Sequence, residues 1–204
     1  MSDFDWIFGE EEDELETARQ LDTPRILKRE SKQKAINALR KEKAKAILTE
    51  LPANGESYHI ISNGSFDYFN FCPIIIDYMK GYTEHFYGST WTMSRYNVNE
   101  LLGLIDAGKI GKISMMTGIY FKRSESAVYA TLLEGLQERH QRFLCFECHA
   151  KIMLFNYKDT YIVMEGSANF TANPRLEQNV ITQSKELWEF HKAWKEEMYS
   201  NGKT

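Results

Sequence analysis

Residues 142–171 read RFLCFECHAKIMLFNYKDTYIVMEGSANFT, and the fold turns on how this stretch is laid out. Read as one strand from Arg142 to Phe155, it alternates in parity, placing Phe143, Cys145, Glu147, His149 and Lys151 on one face and Leu144, Phe146, Cys148 and Ala150 on the other. Residues 156–159, NYKD, then make a turn, and Thr160 to Glu165 pair back as a hairpin that ends in Gly166-Ser167-Ala168-Asn169. An imidazole and an ammonium side by side on one sheet face make a poor core but a useful anion site, because the lysine attracts a phosphate and favours a neutral, nucleophilic histidine. Gly166 allows close approach, and Ser167 and Asn169 share a face as neutral hydrogen-bonding groups suited to phosphate oxygens.

Working outward, strands and helices alternate. Upstream, the pattern predicts strands at Tyr58–Ser62, Phe86–Met93 and Lys112–Phe121. Helices are expected around Pro73–Met79, from Asn97 or Asn99 through Leu101 to Ala107, and over Ser124–His140. Downstream, Asn179–Thr182 reads as a short strand, and Lys185–Tyr199 as a closing amphipathic helix with Trp188, Phe190 and Trp194 facing the core. The expected class is α/β, a mixed β-sheet flanked by helices, with an N-terminal helical extension. In that extension residues 1–22 are an acidic tail. Residues 23–50 form a basic helix capped by Thr23 and Pro24, with a docking stripe of Ile26, Ala35, Ile36, Leu39, Ala46, Ile47 and Leu48 and its lysines turned outward. The globular domain is expected over residues 57–204.

With 204 residues and 43% apolar content, the chain suffices for one domain with a real core. Its formal charge of −4 excludes a strongly basic surface, so contact with nucleic acid needs a local patch. Cys72, Cys145 and Cys148 do not make a secreted disulfide framework, no basic start followed by an apolar run opens the chain, and no stretch approaches the ~20 apolar residues of a membrane span. A cytoplasmic protein that does not enter a membrane is expected. The run Cys145-Phe146-Glu147-Cys148-His149 also matches a haem-attachment pattern and could be read as part of a zinc site, but in an extended strand the two thiols point apart. No metal or cofactor is therefore expected. His149 and Lys151 could alternatively be a satisfied sheet histidine and a snorkelling lysine, and the Gly-Ser-x-Asn hairpin end argues against that.

His-x-Lys at 149–151, a turn, GSANFT at 166–171 and the later Glu177 resemble the catalytic segment of the phospholipase D superfamily. The resemblance implies that His149 attacks phosphorus to form a phosphohistidine, that Lys151, Ser167 and Asn169 hold the non-bridging oxygens, and that Glu177 orients the histidine. The family's aspartate, five residues after the lysine, is here Asn156, and in related enzymes it is a structural anchor at the hairpin turn. The family normally supplies a second histidine from a second copy of the motif. Here His59, His85, His140 and His191 all lack a lysine two residues on, so a symmetric homodimer is the expected partner arrangement. Such a chain resembles the small nucleases of the superfamily, with Lys122, Arg123 and Arg175 placed to meet a polyanion. The alternatives are a phospholipid or other small-phosphodiester hydrolase or transferase, or a non-catalytic nucleic-acid binder that keeps the fold.

Overall fold

The computed structural model describes residues 32–172 and 174–201. The chain divides into two units, residues 1–35 and residues 36–204. The acidic run, Ile26 and the cap expected at Thr23 and Pro24 lie outside the described residues.

Helix α1 (Lys32–Ile47) is followed by β1 (Ser57–Ser62), a short 3-10 turn at Tyr68–Asn70, α2 (Phe71–Tyr78), β2 (Thr83–Thr90), α3 (Arg95–Asp106) and β3 (Ile110–Gly118). Next come α4 (Ile119–Ser124), α5 (Ser126–Glu138), β4 (Arg142–Phe146), β5 (Ile152–Tyr157), β6 (Thr160–Gly166), β7 (Glu177–Gln183) and α6 (Lys185–Asn201). The strands form one seven-stranded mixed sheet in the order β1-β7-β6-β5-β2-β3-β4. The pairs β2–β3 and β3–β4 are parallel, and β5, β6, β7 and β1 continue antiparallel.

Strand parity sorts the core into two layers. Met153, Phe155, Ile162, Met164 and Ile181 face a large cluster with Ile75 of α2, Leu101 of α3, Phe121 of α4 and Leu132 of α5. Ile152, Leu154, Val163 and Tyr87 face Trp188 of α6. Each such fully buried aliphatic or aromatic side chain contributes roughly 1.5–3 kcal/mol, so both faces of the central strands must be covered. That is why β5 and β6 read as nearly unbroken apolar runs.

Several expectations shift. The strand expected from Arg142 to Phe155 is two strands: β4 lies at one edge of the sheet, and residues 147–151 cross the ends of β3 and β2 to deliver β5 between β2 and β6. Both pieces alternate in the same phase, so hydrophobicity alone does not reveal the break. Gly118 makes room for the crossing, since a Cβ there would lie 2.8 Å from the Cys148 carbonyl oxygen. Helix α3 is capped by Ser94, whose side chain accepts from the Asn97 N–H, and not by Asn97 or Asn99. Strand β3 stops at Gly118, and the residues after it turn into α4.

Helix α1 buries Asn37 and Ala44, with Leu48 just beyond its end, while Leu39 and Ile47 stay half exposed. Lys41 lies on this buried side and meets Glu100 of α3 at 2.7 Å, so it does not point outward. The spacing 37, 41, 44, 48 is helical, but its members are an amide, a lysine, an alanine and a leucine, which a hydropathy reading passes over. On α6, Trp188 is buried as expected, whereas Phe190 is 65% exposed.

Candidate active site

The C-terminal ends of the parallel strands β2 and β3, the start of β5 and the end of β6 all come to the same side of the sheet, because Ser89 pairs with Ile152 and Ile152 pairs with Glu165. In open α/β sheets this is where ligands bind. His149 sits on the crossover loop just before β5, exposed, and Lys151 follows it with only 5% of its surface exposed. The Lys151 Nζ lies 2.8 Å from His149 Nδ1, 3.2 Å from Nε2 and 2.7 Å from the His149 carbonyl oxygen. The pairing expected from parity is thus realised, although by a loop and not by a strand. Burial lowers the Lys151 pKa from its ordinary value, against the opposing pull of Cys148 and Glu177.

The hairpin end is fastened beside this pair. Gly166 N donates to the Lys151 carbonyl oxygen at 3.1 Å, and Ser167 N donates to the Gln178 carbonyl oxygen at 2.9 Å. Tyr68, buried under the motif, donates its hydroxyl to the Met164 carbonyl oxygen at 2.8 Å. The Ser167 hydroxyl donates to Glu177 Oε2 and accepts from the Gln178 N–H. Glu177, expected to orient His149, therefore has Ser167 as a direct partner, and it acts on Lys151 through its charge.

Asn169 is held by its neighbour. Phe170 donates its N–H to Thr90 Oγ1 at 3.1 Å, and its carbonyl oxygen accepts from Ser94 N at 2.9 Å and from Asn97 Nδ2 at 3.0 Å. Asn97 in turn donates to the buried Asp67, whose carboxyl is pushed up to about 6 by burial. Among the described residues the buried Asn169 Oδ1 has no partner, and neither side-chain polar atom of the fully buried Asn179 has one. Asn179 stands opposite Gly166 in the β6–β7 register. Buried polar atoms without partners cost about 1–3 kcal/mol each and mark places where a ligand can be met.

Three further residues, passed over in the sequence, lie at this sheet end or under it. Trp91, just past β2, has its ring centroid 5.4 Å from that of His149 and stacks on Tyr120, just past β3, at 4.3 Å. Both immediately follow the C-terminal end of a parallel strand, which is the signal that could have found them. Lys195 of α6, on the opposite face of the sheet, is completely buried and donates to Ser89 Oγ at 2.8 Å. Burial brings its pKa down to about 7.

Of the expected polyanion-binding residues, Lys122 and Arg123 are exposed on α4 directly after Tyr120, and Arg175 is exposed in the loop before Glu177. Cys145 lies within 3.7 Å of the Gly118 carbonyl oxygen, and Cys148 is buried against Met116 and Leu144. Among the described residues no group of three His, Cys, Asp or Glu side chains is placed to share a metal ion, and no described helix is long and apolar enough to cross a membrane.

No family model matches the sequence, and no curated protein matches it. Solved structures do resemble the fold. TrmBL2, an archaeal chromatin protein, superposes with a TM-score of 0.51 at 12% identity, covering 94% of this chain and 64% of its own. NucT from Helicobacter pylori gives 0.49 at 13% identity over 71% of this chain and 97% of its own. Polyphosphate kinase from Porphyromonas gingivalis gives 0.47 at 14% identity over 62% of this chain and 23% of its own. The likeness to TrmBL2 is one of fold. The chain spans less than two thirds of the length of TrmBL2 and of the kinase.

Asn156, at the position where the sequence resemblance implies an aspartate, lies at the far end of the same hairpin, inside β5 and not in the turn. Its Nδ2 donates to Glu84 Oε2 at 2.7 Å, its Oδ1 accepts from His85 N at 3.1 Å, and its backbone N–H donates to Thr83 Oγ1 at 3.1 Å. It ties β5 to β2 with every polar group engaged.

Proposed function

We propose that this chain is a phosphodiesterase that needs no metal, a nuclease acting through a phosphohistidine in a homodimer. The observation that carries this reading is the buried Lys151 ammonium held at 2.8 Å from the ring of an exposed histidine. An ammonium can donate only to a ring nitrogen that carries a lone pair, so the pair presents an unprotonated nitrogen beside a cation. An incoming phosphodiester anion draws the ammonium onto its non-bridging oxygens, which uncaps the ring nitrogen at the moment the phosphorus arrives. Asn169 adds a hydrogen bond to those oxygens, and Ser167 adds one by turning its single hydroxyl proton from Glu177 onto the phosphate.

In the first step a lone pair of His149 forms a P–N bond while the P–O bond to the leaving group breaks. The leaving oxygen takes its proton from His149 of the partner subunit, which enters the step as an imidazolium with the adjoining ammonium turned off its ring. In the second step that same imidazole removes a proton from water, the resulting oxygen attacks phosphorus, the P–N bond breaks, and His149 is regenerated. Nucleic acid is favoured as the substrate by the exposed cations Lys122, Arg123 and Arg175. TrmBL2, which shares the fold, is described as binding DNA.

The test is cleavage of labelled single- and double-stranded DNA and RNA in excess EDTA, with wild type beside His149→Ala. Cleavage that survives EDTA and disappears in a folded, dimeric His149→Ala protein is the expected result. A fully active variant would remove His149 as nucleophile. A folded wild-type dimer that binds nucleic acid but cleaves none would make the chain a binder that retains the fold.

A further inference from the structure

We propose that the stacked Trp91–Tyr120 pair is a platform for an unstacked nucleobase of single-stranded nucleic acid, lying beside the phosphate attacked by His149. This rests on the nuclease reading above and names its substrate class. The two rings are nearly parallel, at 20° with centroids 4.3 Å apart, and the Trp91 ring lies 5.4 Å from His149 at 56°. Core aromatics such as Phe86, Phe121 and Phe155 are fully enclosed, whereas Tyr120 leaves 47% of its surface open. The platform is built into the backbone: Gly118 carries no Cβ, and one placed there would stand 2.5 Å from Trp91 Cδ1. Lys122 and Arg123 follow Tyr120 on the same short helix and are exposed.

A base presents a π-face whatever its identity, and stacking on an aromatic side chain is tolerant of sequence. Duplex bases are already stacked on their neighbours and must be pulled out before they can lie here. The site therefore takes single strands in preference to duplexes, with little discrimination among bases.

Binding measured by fluorescence anisotropy in a His149→Ala background separates the possibilities. The probes are a labelled short single-stranded DNA oligomer and an abasic oligomer of the same length. Tyr120→Ala is expected to weaken the base-bearing oligomer by about ten-fold, Tyr120→Phe to keep wild-type affinity, and the abasic oligomer to bind weakly and equally to all three. Unchanged affinity of Tyr120→Ala for the base-bearing oligomer overturns the platform, and if wild type still cleaves nucleic acid, the nuclease reading stands without it. Selective loss with Tyr120→Ala in a protein that cleaves no nucleic acid keeps the platform and removes the nuclease reading.

Discussion

The two ends of the β5–β6 hairpin are built from similar residues to opposite purposes. At the turn end, Asn156 meets Glu84, His85 and Thr83 with each of its polar groups. At the other end, Asn169 Oδ1 and both polar atoms of the Asn179 side chain are buried with no partner among the described residues, and the Lys151 ammonium leans on a histidine. A satisfied buried amide fastens strands, and an unsatisfied one adds to the cost of folding. The same strand pair thus carries satisfied polar groups at one end and unsatisfied ones at the other, where the proposed chemistry lies.

The sharpest way to break this comparison is at Lys151. Lys151→Ala is expected to lower turnover by about 10²–10³-fold, as for loss of one transition-state donor, and to weaken inhibition by inorganic phosphate, while urea unfolding shows stability held or raised. Stability lost in step with activity would make Lys151 a structural residue.

Lys195 provides the contrast on the opposite face of the same sheet end. It has one hydroxyl partner, Ser89, and lies over the Trp194 ring. Its folded pKa is about 7 against an ordinary 10.5, so between those values the unfolded chain binds the extra proton and stability rises with pH. Below about 7 both states are protonated, and the full penalty of the buried charge is present. Lys195→Met is expected to abolish this slope and raise stability below neutral pH by on the order of a few kcal/mol, less the cost of leaving Ser89 unpaired. Urea melts across the range check it, and an unchanged slope would mean that Lys195 is not the titrating group.

Gly166 tests the site end without touching a charge. A Cβ there would meet the Asn179 side-chain oxygen and stand 2.9 Å from the Gln178 carbonyl oxygen. Gly166→Ala is expected to cost about 1–3 kcal/mol by chemical denaturation. A neutral effect would show that the Asn179 amide can move, and hence that its unpartnered atoms are not fixed in place.

How much of this was legible in the sequence depends on the distance over which each signal acts. His149, Lys151, Ser167 and Glu177 fall within one short stretch, where residue type and spacing are readable without tertiary structure, and the structure pairs Lys151 with His149 and Ser167 with Glu177. The break between β4 and β5 was hidden because burial on both faces of the sheet leaves no phase change to detect. Trp91 and Tyr120 follow separate strands, and only the pairing of β2 with β3 makes them neighbours. Lys41 and Lys195 were read as solvent-facing or left unread, because a lysine that turns to a partner within the protein is visible only once that partner, Glu100 or Ser89, is in place. The contact of Glu177 with Ser167 likewise depends on how β7 returns beside β6.

The smallest expected effect is the most discriminating for the turn end. Asn156→Asp supplies the residue type that the sequence resemblance implies, yet here it sets a carboxylate where an amide donates to Glu84 Oε2 at 2.7 Å. The acceptor role toward His85 N survives the change and the donor role does not. Glu84 is exposed and can swing away, which limits the loss to about 1–2 kcal/mol. Swinging away also loosens its contact with Lys158 N, at 3.2 Å. Like-charge contact raises the folded pKa of the new carboxyl, so the deficit is absent at acid pH and grows as pH rises through that value. Glu84→Gln in the same chain should recover the loss, since the glutamine amide can donate to the new carboxylate. Turnover should be unchanged in both variants, because the site lies at the other end of the strands. Reduced turnover at undiminished stability would mean that the two ends are coupled and that Asn156 is tuned to the chemistry and not to the sheet.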